Sequence, residues 1–326
     1  MDLFDSLKSK IQGKDLKIVF PEALDERILG AAVRLYHDEL LTPILLGDKE
    51  QVLEVARENG FDLTGIDIVN PHTYEEYDDM VNAFIERRKG KATEEQAREQ
   101  LLEVNYFGTM LVYMDKADGL VSGAVHSTSE TVRPALQIIK TRPGITRTSG
   151  AFIMLRGRGQ EKYVFSDCAI NPDPDAKILA EIAVESARTA KMFDIDPKVA
   201  LLSFSTKGSA DSPVVDKVRE ATSIAQEMAP EFDIDGELQF DAAFVPAVSK
   251  QKAPDSNVAG QATVFVFPEL QSGNIGYKIA QRLGNFEAVG PILQGLNKPV
   301  SDLSRGSVEE DVYKTAIITA NQSIQD

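Results

Sequence analysis

The residues best suited to chemistry stand near the end of the chain, in Ser301-Asp302-Leu303-Ser304-Arg305-Gly306-Ser307-Val308-Glu309-Glu310-Asp311. They put a hydroxyl, a guanidinium and a carboxylate at the mouth of an expected helix. Ser307 with Glu310 has the form of a capping box, serine at the N-cap and glutamate three residues on. Val308, Val312, Ala316 and Thr319 follow at helical spacing. Gly306 falls where the chain must turn into that helix, and glycine tolerates any backbone angle there. Ser304 and Arg305 then lie just before a helix N-terminus, whose free N–H groups and dipole attract anions. Asp311 falls near the end of the first turn, so its carboxylate can face the same space. Arg305 could fix a phosphate, Asp311 take a proton and Ser304 donate a hydrogen bond. Spacing alone does not separate this from an ordinary capped surface helix that carries an arginine by chance.

Three more stretches are rich in small polar residues and follow expected strands, where ligands bind in parallel sheets. The first is Ser122-Gly123-Ala124-Val125-His126-Ser127-Thr128-Ser129-Glu130-Thr131-Val132-Arg133-Pro134, with Arg133 expected in the opening turn of a helix. The second runs over 205–210, and the third is Ser272-Gly273-Asn274-Ile275-Gly276-Tyr277-Lys278. Each taken alone reads better as a plain strand-to-helix turn. The chain has neither a G-x-x-x-x-G-K-[ST] nor a G-x-G-x-x-G pattern, and no G-x-S-x-G elbow.

The elements that must position these residues alternate between strand and helix. Strands are expected at 17–20, 43–47, 66–69 and 119–121, with helices over 26–36, 51–58, a stretch carrying Tyr77 to Ile85, and one capped by Thr93. Such alternation implies a largely parallel sheet with helices on both faces. Composition shifts near Arg142-Pro143-Gly144, which marks a boundary between two lobes. Beyond it, strands at 151–155 and 163–166 could pair, and helices are expected over 177–192, 214–228 and 275–283, with strands at 199–204 and 263–267. Residues 156–159 and 173–175 read as turns. The C-terminal helix is expected to pack back on the first lobe, giving lobes of 1–143 plus 297–326 and of 144–296.

The 326 residues suit two lobes, with 51 acidic against 35 basic side chains and a net charge of −16. That balance argues against nucleic acid or an anionic membrane as the main partner. The single cysteine, Cys168, allows no internal disulfide and fits a reducing cytoplasm. No stretch reads as a signal peptide or a membrane span. His37, His72 and His126 are scattered without metal-ligand spacing, so no metal site is expected.

Taken in order, these stretches resemble phosphate acetyltransferase (phosphotransacetylase) of the short, single-module type, over essentially the whole chain. The resemblance rests on 117–124 with Ser127 to Pro134, on 202–210, on Ile234-Asp235-Gly236-Glu237-Leu238-Gln239, on Gly273-Asn274-Ile275 through Leu283, and on Asp302 to Gly306. It implies two α/β lobes similar to the isocitrate and isopropylmalate dehydrogenase fold, an active cleft between the lobes, and a homodimer. It implies reversible acetyl transfer between acetyl-CoA and phosphate, giving acetyl phosphate and coenzyme A. The family's Ser-Arg and downstream Asp pattern falls on Ser304, Arg305 and Asp311, and its two further functional arginines on Arg88 and Arg133. Ser127, Ser205, Lys252, Asn274 and Lys278 resemble its cleft-lining positions. Coenzyme A, acetyl phosphate and inorganic phosphate are then substrates, and no separate cofactor is implied.

The chemistry of the residues agrees. A thiol of pKa about 8.5 attacks well only as thiolate, and Asp311 could accept its proton if desolvation raised the carboxylate pKa. Arg305 could hold phosphoryl oxygens bidentately while the tetrahedral carbon forms. The alternatives are a helix-end cation for Arg88, preferred there without the resemblance, and a surface salt bridge for Arg133. Cys168 is expected at the end of a buried strand, without a neighbouring histidine, so direct attack in a ternary complex is favoured over an acetyl-cysteine. A phosphate butyryltransferase-like acyltransferase, a dehydrogenase on the related fold and a non-catalytic coenzyme A-sensing module are the rival readings.

Overall fold

The computed structural model describes residues 3–157 and 159–325. The turn expected at 156–159 includes Arg158, which lies outside them. The chain divides into two compact units, one of Leu3–Arg142 with the chain from Leu296 onward, the other of Pro143–Gly295.

The first unit opens with α1 (Leu3–Ile11), β1 (Lys17–Phe20), α2 (Glu26–His37), β2 (Thr42–Leu46), α3 (Lys49–Glu58) and β3 (Asp67–Val69). It continues through α4 (Tyr77–Arg88), α5 (Glu94–Gln100), α6 (Val104–Tyr113), β4 (Gly119–Ser122) and α7 (Thr128–Pro134), followed by a π turn at Ala135–Ile139. Strands β1, β2 and β4 are mostly buried, as strands of a sheet covered on both faces must be, while β3 at the edge is only partly so. Helix α6 was not expected from the sequence. Residues Asn105 to Val112 are all buried, so the helix has no polar face and no amphipathic period to reveal it.

The second unit holds β5 (Ser149–Arg156), β6 (Glu161–Ser166), α8 (Ala176–Met192), β7 (Lys198–Leu202), α9 (Pro213–Met228), β8 (Asp233–Leu238), α10 (Phe240–Phe244), α11 (Pro246–Lys252), β9 (Val264–Val266), α12 (Leu270–Leu283) and β10 (Glu287–Gln294). The chain then returns to the first unit as β11 (Val300–Asp302) and α13 (Glu309–Ser323). Helix α12 begins earlier than expected. Glu269 caps it by accepting from Gln271 and Ser272, so the stretch read as a third loop is the first turns of a helix.

The first sheet is parallel throughout, in the order β11-β4-β1-β2-β3. The second runs β10-β5-β6-β9-β7-β8. Strands β10, β5 and β6 pair antiparallel, and β6, β9, β7 and β8 pair parallel. The α/β class, with two mainly parallel sheets flanked by helices, is as expected. Strands β8 and β10 escaped the pattern. Asp233 to Leu238 is too polar, and Gly290-Pro291 interrupts β10 at the irregularity between Val289 and Ile292. Among the described residues no helix is long and apolar enough to cross a membrane.

Candidate active site

Strand β11 runs beside β4, with Asp302 opposite Ser122, so the chain leaves both strands at the C-terminal edge of the first sheet. Leu303 N–H then donates to Ser122 O at 2.7 Å, which brings the 303–307 loop against the 123–126 loop. Gly123 is required there. Its φ is +110°, and a Cβ would stand 2.7 Å from both the N and the O of Leu303.

The helix register differs from the expectation by one residue. The N-cap of α13 is Val308, whose N–H donates to Asp311 Oδ2 at 2.9 Å. Ser307 instead points back, its Oγ accepting from Ser304 N–H at 3.2 Å. Ser304 Oγ accepts from Gly306 N–H at 3.2 Å, which leaves its own proton to donate. Ser304, Arg305 and Asp311 are all exposed. The Arg305 guanidinium makes no hydrogen bond or ion pair among the described residues. Asp311 is not desolvated in the free chain, so any drying of its carboxylate must come with the substrate.

Sequence reasoning missed what holds this loop. Arg27 donates from Nη1 to Arg305 O at 3.0 Å and to Ser307 O at 2.8 Å, and from Nη2 to Ala124 O at 2.9 Å. Its Nε and Nη2 are paired with Asp25 at 2.9 and 2.7 Å. One guanidinium, fixed by a bidentate carboxylate, thus staples both loops through their backbones. The only sequence signal was Asp25 as the N-cap of α2.

Glu22, buried after β1, fixes the second loop. Its carboxylate accepts the N–H groups of Gly123, Ala124, Val125 and His126 at 2.8–3.1 Å, and His126 Nδ1 at 2.8 Å. Burial alone would raise the Glu22 pKa, but the His126 ring and the backbone donors outweigh it and bring it down to about 2. The same contact raises the His126 pKa. His126 is therefore the ring partner of Glu22, an ion pair when protonated, and not a stray histidine.

Asp302 is also buried. Burial raises its pKa, and the hydroxyls of Thr128 and Thr131 face it and act the other way. Its Oδ1 nevertheless closes no hydrogen bond.

Ser127 caps α7 in a reciprocal box, its N–H 2.7 Å from Glu130 Oε2. Arg133 lies in the last turn of this short helix and not in its opening turn, because the cap falls at Ser127. Its Nη2 donates to Ser129 Oγ at 2.8 Å, and the side chain is exposed. Arg88 ends α4, half-buried, with Nε unpartnered. Both arginines act on the Tyr106 hydroxyl, whose pKa burial raises and they lower. The first unit therefore brings Arg88 and Arg133 towards Tyr106, and holds Ser304, Arg305 and Asp311 around the start of α13. Among the described residues no hydrogen bond joins the two groups.

In the second unit Ser205 is wholly buried. Its Oγ donates to Glu237 Oε1 at 2.9 Å and accepts from Ala210 N–H at 3.1 Å. Lys252 Nζ donates to Gln239 Oε1 at 2.9 Å and Asp241 Oδ2 at 3.0 Å. Asn274 Nδ2 reaches Cys168 O at 3.1 Å, and Lys278 Nζ reaches Asn274 Oδ1 at 2.8 Å. Cys168 is buried in the bend after β6, and burial pushes its thiol pKa far above the usual range.

Comparison with known proteins converges on one family. The profile of the phosphate acetyl/butaryl transferases matches residues 2–320. A phosphate acetyltransferase of Bacillus subtilis (strain 168) is 64% identical over 323 residues, spanning 99% of each chain. A phosphotransacetylase structure from Streptococcus pyogenes superposes with a TM-score of 0.98 at 64% identity, covering 99% of this chain and 98% of that one. The EutD phosphotransacetylase from Staphylococcus aureus gives 0.95 at 59% identity over the same shares. With its exposed Ser304–Arg305 loop fixed by Arg27, the chain belongs to the phosphate acetyl/butaryl transferase family.

Proposed function

We propose that the chain catalyses reversible acetyl transfer between coenzyme A and phosphate: acetyl-CoA and phosphate give acetyl phosphate and coenzyme A. The observation that carries this is the unengaged Arg305 guanidinium on a loop pinned through its backbone by Arg27, in a chain of this family. Relatives named phosphate acetyltransferase at 60–64% identity favour acetyl over longer acyl groups.

Towards acetyl-CoA, the thiol gives its proton to Asp311 and the thiolate adds to the carbonyl carbon of acetyl phosphate. The S–C bond forms, the C–O bond to phosphate breaks, and phosphate leaves with the electron pair. Ser304 Oγ donates to the thiolate. Arg305 holds the phosphate oxygens as charge builds on them, a role worth about 3–4 kcal/mol for one well-placed donor. Arg88 and Arg133 take anionic groups of the substrates. Phosphate is leaving group or nucleophile here, not a transferred phosphoryl, so the scheme asks for no metal ion.

The test is acetyl phosphate plus coenzyme A, without added metal or nicotinamide, followed at the thioester absorbance. Thioester formation is expected. Coenzyme A binding without turnover would instead support a sensing module, and turnover only with a nicotinamide a dehydrogenase.

The working form is proposed to be a cytoplasmic homodimer. Ile275, Ile279 and Leu283 are exposed at four-residue intervals on α12, an apolar stripe of the kind a second copy covers. Leu283→Glu should lower the mass measured by sedimentation. An unchanged mass would exclude this face.

A further inference from the structure

A pocket of about 800 Å³ opens in the first unit at the C-terminal ends of β1, β2 and β3, and Val125 and His126 of the loop after β4 close its remaining side. Three of its wall residues are large aliphatic side chains left in the open: Leu24 at 53% exposure, Leu102 at 37% and Val125 at 57%. Such a surface costs solubility and stability unless something covers it. No lysine or arginine lines the pocket.

Its charged and anion-attracting groups are already spent. The four N–H groups of the 123–126 loop are taken by Glu22. Asp48 caps α3, accepting from Glu50 and Gln51 N–H at 3.1 and 3.2 Å, so that helix end is filled as well. Asp25 is paired with Arg27. A phosphate would meet carboxylates there and no free cation.

The Gln51 amide and the His72 ring remain, and neither side chain has a hydrogen-bond partner among the described residues. An amide and a neutral imidazole each offer both a donor and an acceptor. The wall thus fits a group with an apolar body, a donor–acceptor edge and no negative charge. The pocket also touches the catalytic machinery. Asp25 lines it and orients Arg27, which holds the backbone of Arg305 and Ser307.

We propose that this pocket binds an uncharged, hydrogen-bonding portion of the coenzyme, its adenine or its pantetheine amides. The proposal rests on the reading of coenzyme A as substrate. The phosphates of the coenzyme would then lie outside the pocket, towards cations the pocket itself lacks.

Calorimetry tests this without turnover, by titrating adenosine and, separately, pantetheine into the full chain. One of the two should bind, and Leu24→Asp, at an exposed position, should weaken that binding at least tenfold. The same variant should raise KM for coenzyme A about tenfold and leave KM for acetyl phosphate in place. Which fragment binds decides between the two portions. Binding of neither, fragment binding indifferent to Leu24→Asp, or displacement of the fragment by inorganic pyrophosphate would overturn the proposal. A chain that binds a fragment in this pocket but never makes thioester would overturn the proposed reaction and leave the pocket standing.

Discussion

Cys168 and Arg305 are the two positions where the chain could carry an acyl transfer, and their settings are opposite. Cys168 is the intrinsically better nucleophile. It sits fully buried in the aromatic core of the second unit, among Phe165, Phe265 and Phe267. Its N–H donates to Gly150 O at 2.9 Å, its carbonyl accepts from Asn274, and its thiol is held protonated by burial. Arg305 is not a nucleophile at all, yet its side chain is exposed and unengaged while its backbone is held by Arg27. Environment, more than residue type, decides which group can act. The same burial that raises the thiol pKa removes it from reach, while a free side chain on a fixed backbone meets a substrate with little ordering left to do.

The largest effect should come from removing the guanidinium. Arg305→Ala is expected to lower kcat by about 10²–10³, the cost of one preorganised donor. Its melting temperature should stay within about 2 °C of the parent, since an exposed side chain adds little to stability. Arg305→Lys should recover little, because an ammonium lacks the planar fork. Near-normal kcat in the lysine variant would remove the bidentate role.

Arg27→Ala sharpens the claim that backbone fixation matters. Bonds from a charged donor contribute about 1.5–3 kcal/mol each. Losing several of them at the 304–307 and 123–126 loops should cost roughly ten- to a hundredfold in kcat as well as some stability. If kcat survives while only the melting temperature falls, Arg27 is structural and nothing more.

Arg88→Ala and Arg133→Ala should act on binding. An increase of about tenfold in KM for coenzyme A or acetyl phosphate, with a smaller change in kcat, is expected for groups that hold substrate in ground and transition state alike. Unchanged KM for both substrates would return these arginines to the surface.

The contrast in burial also has a pH signature. Glu22 has its pKa lowered from 4.5 to about 2 on folding, so its stabilisation is fully present above about 4.5 and is lost as the pH falls towards 2. His126 has its pKa raised on folding, so its stabilisation is full below the unfolded value of about 6.5 and is lost as the pH rises through the folded value. The pair therefore stabilises most between about pH 4.5 and 6.5. Melting temperatures of Glu22→Gln should fall less steeply than the parent's between pH 5 and pH 3. Parallel curves would show that the carboxylate contributes no such linkage.

Much of the fold was legible because the chain alternates buried aliphatic runs with amphipathic helices. Strand β1 and helices α2 and α8 were found to within a residue on that basis. Helix α6 was not, since burial all round erases periodicity, and β10 was hidden by Gly290-Pro291. In the site, the Ser304–Arg305 stretch stood out by residue type and by family pattern. The groups that fix it did not. Arg27 lies 278 residues from Arg305 along the chain and Glu22 101 from Gly123, and both act on backbone atoms, which leave no side-chain pattern to read. Glu237 repeats the device in the second unit, accepting from Gly208 N–H at 2.8 Å and from Arg219 Nε at 3.1 Å to hold the 205–210 loop. The Ser307 cap was misplaced by one residue because serine and aspartate were both available at the start of α13, and Asp311 reaches Val308 N–H.

Cys168→Ala should be the mildest substitution of all, with kcat within about twofold of the parent and a small loss of stability from packing. It sets the scale for the deciding measurement, which is initial rates with acetyl phosphate and coenzyme A both varied, joined to intact-mass analysis after acetyl phosphate alone. Direct transfer at the Arg305 loop predicts intersecting double-reciprocal lines and an unmodified protein. Parallel lines with an acetyl adduct on Cys168 would contradict it, and would give the reaction to the buried thiol instead.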